Sequence, residues 1–167
     1  MTDKVMMFID GSNLFWGCKT FPRSPNVKIK YYKLRDEIAN NRKLIRPYYY
    51  TGISVPPLPD QIRFHDGLKH EGFCVITRPL KKRSYGMIEK GVDVALVTDM
   101  LKFAFMNVYD IAILVSGDTD FCEAVKVVKD RGIIVEIVAF EHTISRDLKM
   151  LADKYTPLDD FIDKIRF

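Results

Sequence analysis

Four aspartates in this chain stand where a predicted strand ends or where a predicted helix begins. Asp10 and Asp118 each follow a continuous apolar run, whereas Asp93 and Asp120 each open a segment whose apolar residues recur at helical spacing. Carboxylates are the oxygen ligands that Mg²⁺ and Mn²⁺ prefer, and such a metal can polarise a phosphate and lower the pKa of a bound water. These residue types therefore predict phosphodiester chemistry at an acidic metal site, if the four acids meet.

The elements that must position these acids alternate between strand and helix. Segments with helical spacing separate five apolar or aromatic runs, which are predicted as strands over residues 5–9, 44–51, 73–77, 111–115 and 133–139. This alternation predicts an α/β fold with a central parallel sheet of about five strands between two layers of helices, a three-layer αβα sandwich. Right-handed crossovers bring the C-terminal ends of parallel strands, and the N-termini of the following helices, to one edge of the sheet. The four acids are expected at that edge, although the spacing does not give the strand order.

Carboxylates that converge in this way need a counter-cation. Two carboxylates ~4 Å apart repel by ~4 kcal/mol at an effective dielectric of 20. Several such pairs would offset much of a domain's free energy of unfolding, which is ~5–15 kcal/mol. No convergent set of His and Cys favours zinc, so Mg²⁺ or Mn²⁺ is the expected cofactor. Structural alternatives remain open, since Asp10 and Asp118 also suit turns and Asp93 and Asp120 also suit helix N-caps.

Other polar residues near these acids are predicted to support them. Ser12 and Ser116 flank the strand-end acids in the sequence. Asn13 either orients a water or a phosphate, or closes the turn after the first strand. Asp99 lies six residues beyond Asp93, ~9 Å along a helix axis and about 240° around it, so it is expected to support the site from further away or to form a salt bridge.

A basic segment precedes Asp93. Residues 78–90 are predicted as a loop or a small hairpin, and they carry the densest positive charge of the chain at Arg78, Lys81, Lys82, Arg83 and Lys90. A solvated loop is the structural interpretation of this charge. The functional interpretation is a strip that contacts phosphates, which the position of the segment just before Asp93 favours.

Capping signals mark the last two predicted helices. Ser145 is predicted to cap a helix whose apolar face extends to Tyr155. The segment Thr156–Asp159 has the spacing of a capping box before a final helix that packs residues 158–165. The longer predicted helix over residues 91–106 is apolar around much of its circumference, which indicates wide burial or an interface, so a homodimer is compatible with the sequence.

Composition sets broad limits on the class of protein. The 167 residues are 47% hydrophobic and 29% charged with a mild formal net charge of +4, which is typical of a single globular domain over 1–167. No apolar run approaches the ~18 residues of a membrane span, and a signal peptide pattern is lacking, so a cytoplasmic location without membrane contact is expected. The three cysteines are interpreted as reduced rather than as a disulfide or zinc framework.

Three ordered motifs resemble those of the NYN domain, a PIN-like nuclease fold, in its bacterial LabA-like branch. They are Phe8–Asn13, Lys90–Val94 and Ser116–Phe121, and the segment 148–161 resembles the closing segment of the family. The resemblance implies a Rossmann-like sheet with its strands in the order 3-2-1-4-5, counted along the chain. It also implies an Mg²⁺- or Mn²⁺-dependent ribonuclease with Asp10, Asp93, Asp118 and Asp120 as the acidic set. PIN-like folds commonly draw a further acid from the middle of the chain, for which the sequence offers Asp60, Asp66 or Asp99.

Two functions follow from this resemblance. The first is a metal-dependent endoribonuclease, with RNA as the partner. The alternative is an RNA-binding or regulatory module that keeps the acidic pocket without turnover. A phosphoacceptor receiver domain is disfavoured, since it needs an adjacent acidic pair after the first strand and a lysine after the fifth, where this chain has Gly11-Ser12 and Phe140-Glu141.

Overall fold

A parallel sheet of six strands forms the centre of the protein in the computed structural model, which describes residues 2–167. Along the chain the strands are β1 (Lys4–Asp10), β2 (Lys43–Ile53), β3 (Cys74–Pro79), β4 (Lys81–Arg83), β5 (Gly86–Ile88), β6 (Ile111–Val115), β7 (Ile134–Ala139) and β8 (Lys154–Pro157). The order across the sheet is β3-β2-β1-β6-β7-β8, and β4 and β5 pair with each other as an antiparallel hairpin.

Helices cover both faces of the sheet. They are α1 (Gly11–Lys19), α2 (Tyr31–Ala39), α3 (Pro59–His70), α4 (Val92–Phe105), α5 (Cys122–Asp130), α6 (Arg146–Leu151) and α7 (Ile162–Ile165). One apolar core packs α1, α2, α3 and α7 against the sheet, and a second core packs α4, α5 and α6 against the opposite face. Successive residues of β1 enter alternate cores, Met7 the first and Phe8 the second, because strand side chains alternate in direction.

The predicted α/β architecture is confirmed, with one more strand than expected. The five predicted strands occur in the predicted order 3-2-1-4-5, and β8 extends the sheet beside β7. Tyr155 lies in β8 rather than in a helix, because α6 ends at Leu151 and the chain continues in extended conformation. Ser145 caps α6 as predicted, through a hydrogen bond from the Leu148 amide. The predicted final helix is instead a 3-10 turn over Leu158–Asp160 followed by the short α7.

Helix α1 was not predicted, since the sequence indicated a turn and a loop after β1. Its solvent side carries Phe15 and Trp16, which are 65% and 57% exposed, so its apolar residues do not follow one buried stripe. Asp10 caps the helix by accepting a hydrogen bond from the Asn13 amide at 3.3 Å. The helix therefore begins directly at an acid of the sheet edge.

No helix within residues 2–167 has both the length and the apolar composition that a membrane crossing requires.

Gly11 allows α1 to start against β2. A Cβ atom at this position would lie 2.6 Å from the Tyr49 ring and 2.7 Å from the Tyr50 carbonyl oxygen, closer than carbon packing allows. The absence of a side chain thus fixes how closely the first turn of α1 approaches the sheet.

We expect Gly11→Ala to lower the free energy of unfolding by roughly 1–3 kcal/mol, because the added methyl group must displace backbone as well as a buried ring. Gly67→Ala is the matched control, since nothing lies within 4 Å of its added Cβ inside α3, and it should stabilise the protein by up to about 1 kcal/mol. Urea unfolding of the three proteins measures both values. Equal stabilities of the two variants would contradict this account of Gly11.

Candidate metal centre

Neighbouring strands bring the predicted acids to one edge of the sheet. β1 and β6 pair in parallel with Ile9 opposite Val115, so the residues that follow each strand lie side by side. Asp10 is the last residue of β1, and Asp118 stands three residues beyond β6. Asp10 and Asp118 are neighbours only because β1 lies beside β6, so their proximity depends on the strand order of the whole sheet.

Three carboxylates form a close group at this edge. One oxygen each from Asp93, Asp118 and Asp120 lies within 4.8 Å of the other two. Asp93 occupies the first turn of α4, and Asp118 caps the 3-10 turn Thr119–Phe121 by accepting a hydrogen bond from the Asp120 amide at 2.9 Å. Two of these acids are half-buried and Asp120 is exposed, so the group is open to solvent on one side.

Asp10 lies next to this group but is buried, with 4% of its surface exposed. The Ser116 hydroxyl donates a hydrogen bond to Asp10 Oδ2 at 3.0 Å and accepts one from the Asp118 amide at 3.2 Å. Ser116 therefore connects the carboxylate of one acid to the backbone of another. Through this link Asp10 helps to fix the turn that carries Asp118.

Asn13 and Ser12 also hold the edge together. Asn13 Oδ1 accepts a hydrogen bond from the Gly117 amide at 3.0 Å, so its side chain joins α1 to the turn after β6. The Ser12 hydroxyl donates to Glu89 Oε1, which joins α1 to the end of the hairpin. Both side chains thus tie separate segments of the chain together beside the acids.

Glu89 is a fifth acid at this site, and no pattern in the sequence predicted it. Its Oε1 atom also accepts a hydrogen bond from the Gly52 amide at 3.2 Å. Gly52 makes room for it, since a Cβ at that position would lie 2.9 Å from Glu89 Cγ. The only signal in the sequence is that Glu89 stands just before the Lys90–Val94 motif.

The three acids that were considered for the middle of the chain lie elsewhere. Asp60 is exposed and pairs with Arg63, and Asp66 is exposed on α3. Asp99 accepts a hydrogen bond from the Tyr50 hydroxyl at 2.9 Å and lies 3.3 Å from the ammonium of Lys102, so the salt bridge expected for it is present. Instead, Glu89 is the acid from the middle of the chain that lies beside Asp10 and Asp93.

Burial and mutual repulsion shift the acid–base equilibria of the site. Burial raises the pKa of Asp10 from its ordinary 3.8 to about 6, and the charges of Asp93 and Glu89 add to this, whereas hydrogen bonds from the Asn13 amide and the Ser116 hydroxyl oppose it. The pKa of Asp93 is also raised, first by burial and then by the charges of Asp118, Asp120 and Glu89. Holding these carboxylates close together therefore lowers the free energy of unfolding when they are ionised.

A divalent cation fits the donors at this edge. Within residues 2–167 no salt bridge joins the five acids to a lysine or an arginine, so their charge is not balanced by the protein. All the donors are hard carboxylate oxygens, which suit Mg²⁺ and Mn²⁺ rather than zinc. Asp93, Asp118 and Asp120 are the residues that offer oxygens close enough to share one ion.

The basic segment is a hairpin whose base reaches the acids. Lys81, Lys82 and Arg83 are exposed on β4. The alternation of strand side chains places Lys81 and Arg83 on one face of the hairpin and Lys82 on the other. Leu80 donates its amide to the Ile53 carbonyl at 2.8 Å, while Glu89 contacts Ser12 and Gly52 at the other end. Arg78 and Lys90, at the two ends of the segment, are also exposed.

Residues 4–159 match the family model described as the NYN domain. The chain belongs to the NYN domain family. The resemblance that the three motifs indicated is thereby confirmed, and the chain is a domain of a PIN-like nuclease family. It is similar to the low amplitude and bright protein LabA of Synechococcus elongatus, with 31% identity over 96% of this chain and 88% of the relative. Its fold is similar to the crystal structure of a protein of unknown function from Vibrio parahaemolyticus, with a TM-score of 0.82 and 24% identity over 99% of this chain and 97% of the other.

The raised pKa of Asp10 predicts how stability depends on pH without metal. Between pH 3.8 and about 6 the unfolded chain loses this proton while the folded NYN domain keeps it, so the contribution of Asp10 to the free energy of unfolding falls as pH rises through that window. The difference between the two pKa values corresponds to about 3 kcal/mol at pH 7. Asp10→Asn, in EDTA, should therefore be more stable than wild type at pH 7, by roughly 1–3 kcal/mol, and lose this advantage near pH 4.

Chemical unfolding at several pH values measures this difference. Asp163→Asn, which removes an exposed acid from α7, is the control and should change little at any pH. A metal-free Asp10→Asn protein that is less stable than wild type at pH 7 would contradict the conclusion that the ionised Asp10 destabilises the folded protein.

Proposed function

We propose that this NYN domain is a metal-dependent endoribonuclease, and that Asp93, Asp118 and Asp120 bind the Mg²⁺ or Mn²⁺ ion that it requires. The observation that carries the proposal is the convergence of three carboxylate oxygens within 4.8 Å in a domain of a nuclease family. When bound, such an ion polarises a phosphodiester and lowers the pKa of a coordinated water. RNA as the substrate rests on the resemblance to ribonucleases of this family.

The residues around the three acids have distinct proposed roles. Asp118 is held by hydrogen bonds at both ends, through its amide to Ser116 and through its carboxylate to the Asp120 amide, so its free oxygen points in a fixed direction. Asp10 accepts a hydrogen bond from the Ser116 hydroxyl, which in turn accepts one from the Asp118 amide, so Asp10 helps to position Asp118. We propose that Asp10 also contributes to the metal set and to catalysis.

Glu89 completes the acidic set in this proposal. It supplies the further acid from the middle of the chain that PIN-like folds commonly draw on, and it adds negative charge beside Asp10 and Asp93. Its hydrogen bonds with Ser12 and the Gly52 amide also attach the basic hairpin to the edge of the sheet. The cations of the hairpin, Lys81, Lys82 and Arg83, are proposed to bind the phosphates of RNA near the metal.

Loss of a metal ligand should reduce turnover more than RNA affinity, because the ion acts mainly on the transition state. We expect Asp118→Asn to lower the rate of Mn²⁺-dependent cleavage of a labelled single-stranded RNA pool by more than ~100-fold and to remove most of the Mn²⁺-dependent rise in melting temperature. Glu89→Gln, which keeps an acceptor for Ser12 but removes the charge, should lower cleavage by about 10–100-fold. The same RNA should still bind to both variants.

Asp99→Asn is the matched control, since this acid lies on α4 like Asp93 but contacts Tyr50 and Lys102. It should reduce cleavage by less than ~10-fold. A wild-type rate in Asp118→Asn would mean that the activity does not belong to this site, and would favour the RNA-binding module. A metal-dependent rise in melting temperature without any cleavage would favour the alternative, an RNA-binding or regulatory module.

The basic hairpin can be tested separately from catalysis. In the Asp118→Asn protein with EDTA, replacing Lys81, Lys82 and Arg83 by Ala should weaken binding to all RNA sequences and flatten the salt dependence by a log-log slope of ~0.7 per lost contact. The control replaces three exposed lysines elsewhere, Lys149, Lys154 and Lys164, and removes the same net charge. If the two triple variants lose equal RNA affinity, the hairpin is a solvated surface rather than a phosphate-binding strip.

A further inference from the structure

A second concave site lies on the face of the sheet that α1, α2 and α3 cover. It is a cavity of about 870 Å³ whose floor includes Tyr49 of β2. Volumes of ~300–1,000 Å³ are typical of sites that bind small molecules, so a nucleobase fits within it. None of the five acids of the metal centre lines this cavity.

Aromatic rings dominate the lining. Tyr31, Tyr49 and Phe64 pack edge-to-face with ring centroids 5.3–5.9 Å apart, which makes the floor rigid. Phe15 and Tyr32 stand at the mouth, where 65% and 37% of their surfaces are exposed. Exposed aromatic faces beside a rigid apolar floor are suited to stacking with planar rings.

The charged side chains of the lining are mainly positive. Lys19, Lys28, Lys30 and Arg63 line the cavity together with one acid, Glu71. Arg63 pairs with the exposed Asp60 outside the lining, which leaves the three lysines as the main cations. A ligand that combines flat apolar rings with negative charge matches this combination.

Helix α1 and Tyr49 contribute to both the cavity and the neighbourhood of the metal centre. Ser12 contacts Glu89 in the first turn of α1, and Lys19 at the cavity lies seven residues further along the helix, about 10 Å along its axis. The Tyr49 ring, which lines the cavity, ends with its hydroxyl 2.7 Å from where a Gly11 Cβ would lie. Helix α1 therefore begins beside the acids and ends at the cavity.

We propose that this cavity binds unpaired bases of a single-stranded RNA, whose backbone passes along α1 to the metal centre. Phe15 and Tyr32 stack with the bases, and Lys19, Lys28 and Lys30 contact the neighbouring phosphates. The proposal rests on the proposed function for the identity of the strand, but the base contacts do not need the metal. The hairpin and the cavity would then hold the RNA on two sides of the acids.

Binding of a fluorescein-labelled, unstructured RNA of ten nucleotides to the Asp118→Asn protein in EDTA tests this site. Phe15→Ala should raise the dissociation constant about fivefold or more. The matched control is Phe105→Ala, because Phe105 is also a phenylalanine on a helix surface, is 55% exposed and lies on α4, which covers the opposite face of the sheet and does not line the cavity; its effect should stay within about twofold. Phe15→Leu, which keeps apolar volume without an aromatic face, should behave like Phe15→Ala.

An oligonucleotide of the same length with abasic sugars separates stacking from charge. Wild type and Phe15→Ala should bind it equally, since it has no bases for Phe15 to contact. Equal affinities of wild type and Phe15→Ala for normal RNA would overturn the proposal. If Phe15→Ala instead changes the sedimentation coefficient of the protein at unchanged RNA affinity, the cavity is a protein interface, which overturns it as well.

Cleavage by the proteins that retain Asp118 distinguishes this proposal from the proposed nuclease. A Phe15 effect on binding without metal-dependent cleavage would refute the nuclease and leave the base-binding site. Metal-dependent cleavage with no Phe15 effect would refute the base-binding site alone.

Discussion

The repulsion among five neighbouring carboxylates, four of them buried or half-buried, is the constraint on which the site depends. Burial and the charges of neighbouring acids raise the pKa of Asp10 and of Asp93, and no lysine or arginine within residues 2–167 forms a salt bridge with any acid of the group. Part of the compensation comes from backbone dipoles, since Asp93 lies in the first turn of α4, where the positive end of a helix favours negative charge. In the proposed metal complex a divalent ion offsets the remaining repulsion, and its binding stabilises the folded state.

Neutral groups hold this charged edge in place. Ser12, Asn13 and Ser116 link segments that are distant in sequence without adding charge. Glycines allow the close approach, as at Gly117, where a Cβ would lie 2.4 Å from the Thr143 carbonyl oxygen. The geometry of the acids is therefore determined by hydrogen bonds and backbone contacts rather than by the acids themselves.

The sequence predicted the parts of this arrangement that depend on local pattern. Continuous apolar runs identified five strands, and the acids at their ends were expected at one edge, where the structure places them. Glu89 was missed because it follows a three-residue strand in a hairpin, where no periodicity marks a position at the edge. The start of α1 was missed because the exposed Phe15 and Trp16 obscure its buried face. The cavity depends on how three helices pack, which no single segment encodes.

The distribution of charge explains how a negative site can receive a polyanion. The net charge of +4 is mild for the whole chain, but one group of cations lies on the hairpin that ends beside Glu89, and another group lines the cavity. In the proposed complex, a strand bound at the hairpin and at the cavity is held over the acids by contacts that do not take part in the reaction. In that complex the acids repel the phosphate until an ion is present, so the proposal implies that RNA and metal each favour the binding of the other. Affinity and chemistry are thereby assigned to different residues of one surface.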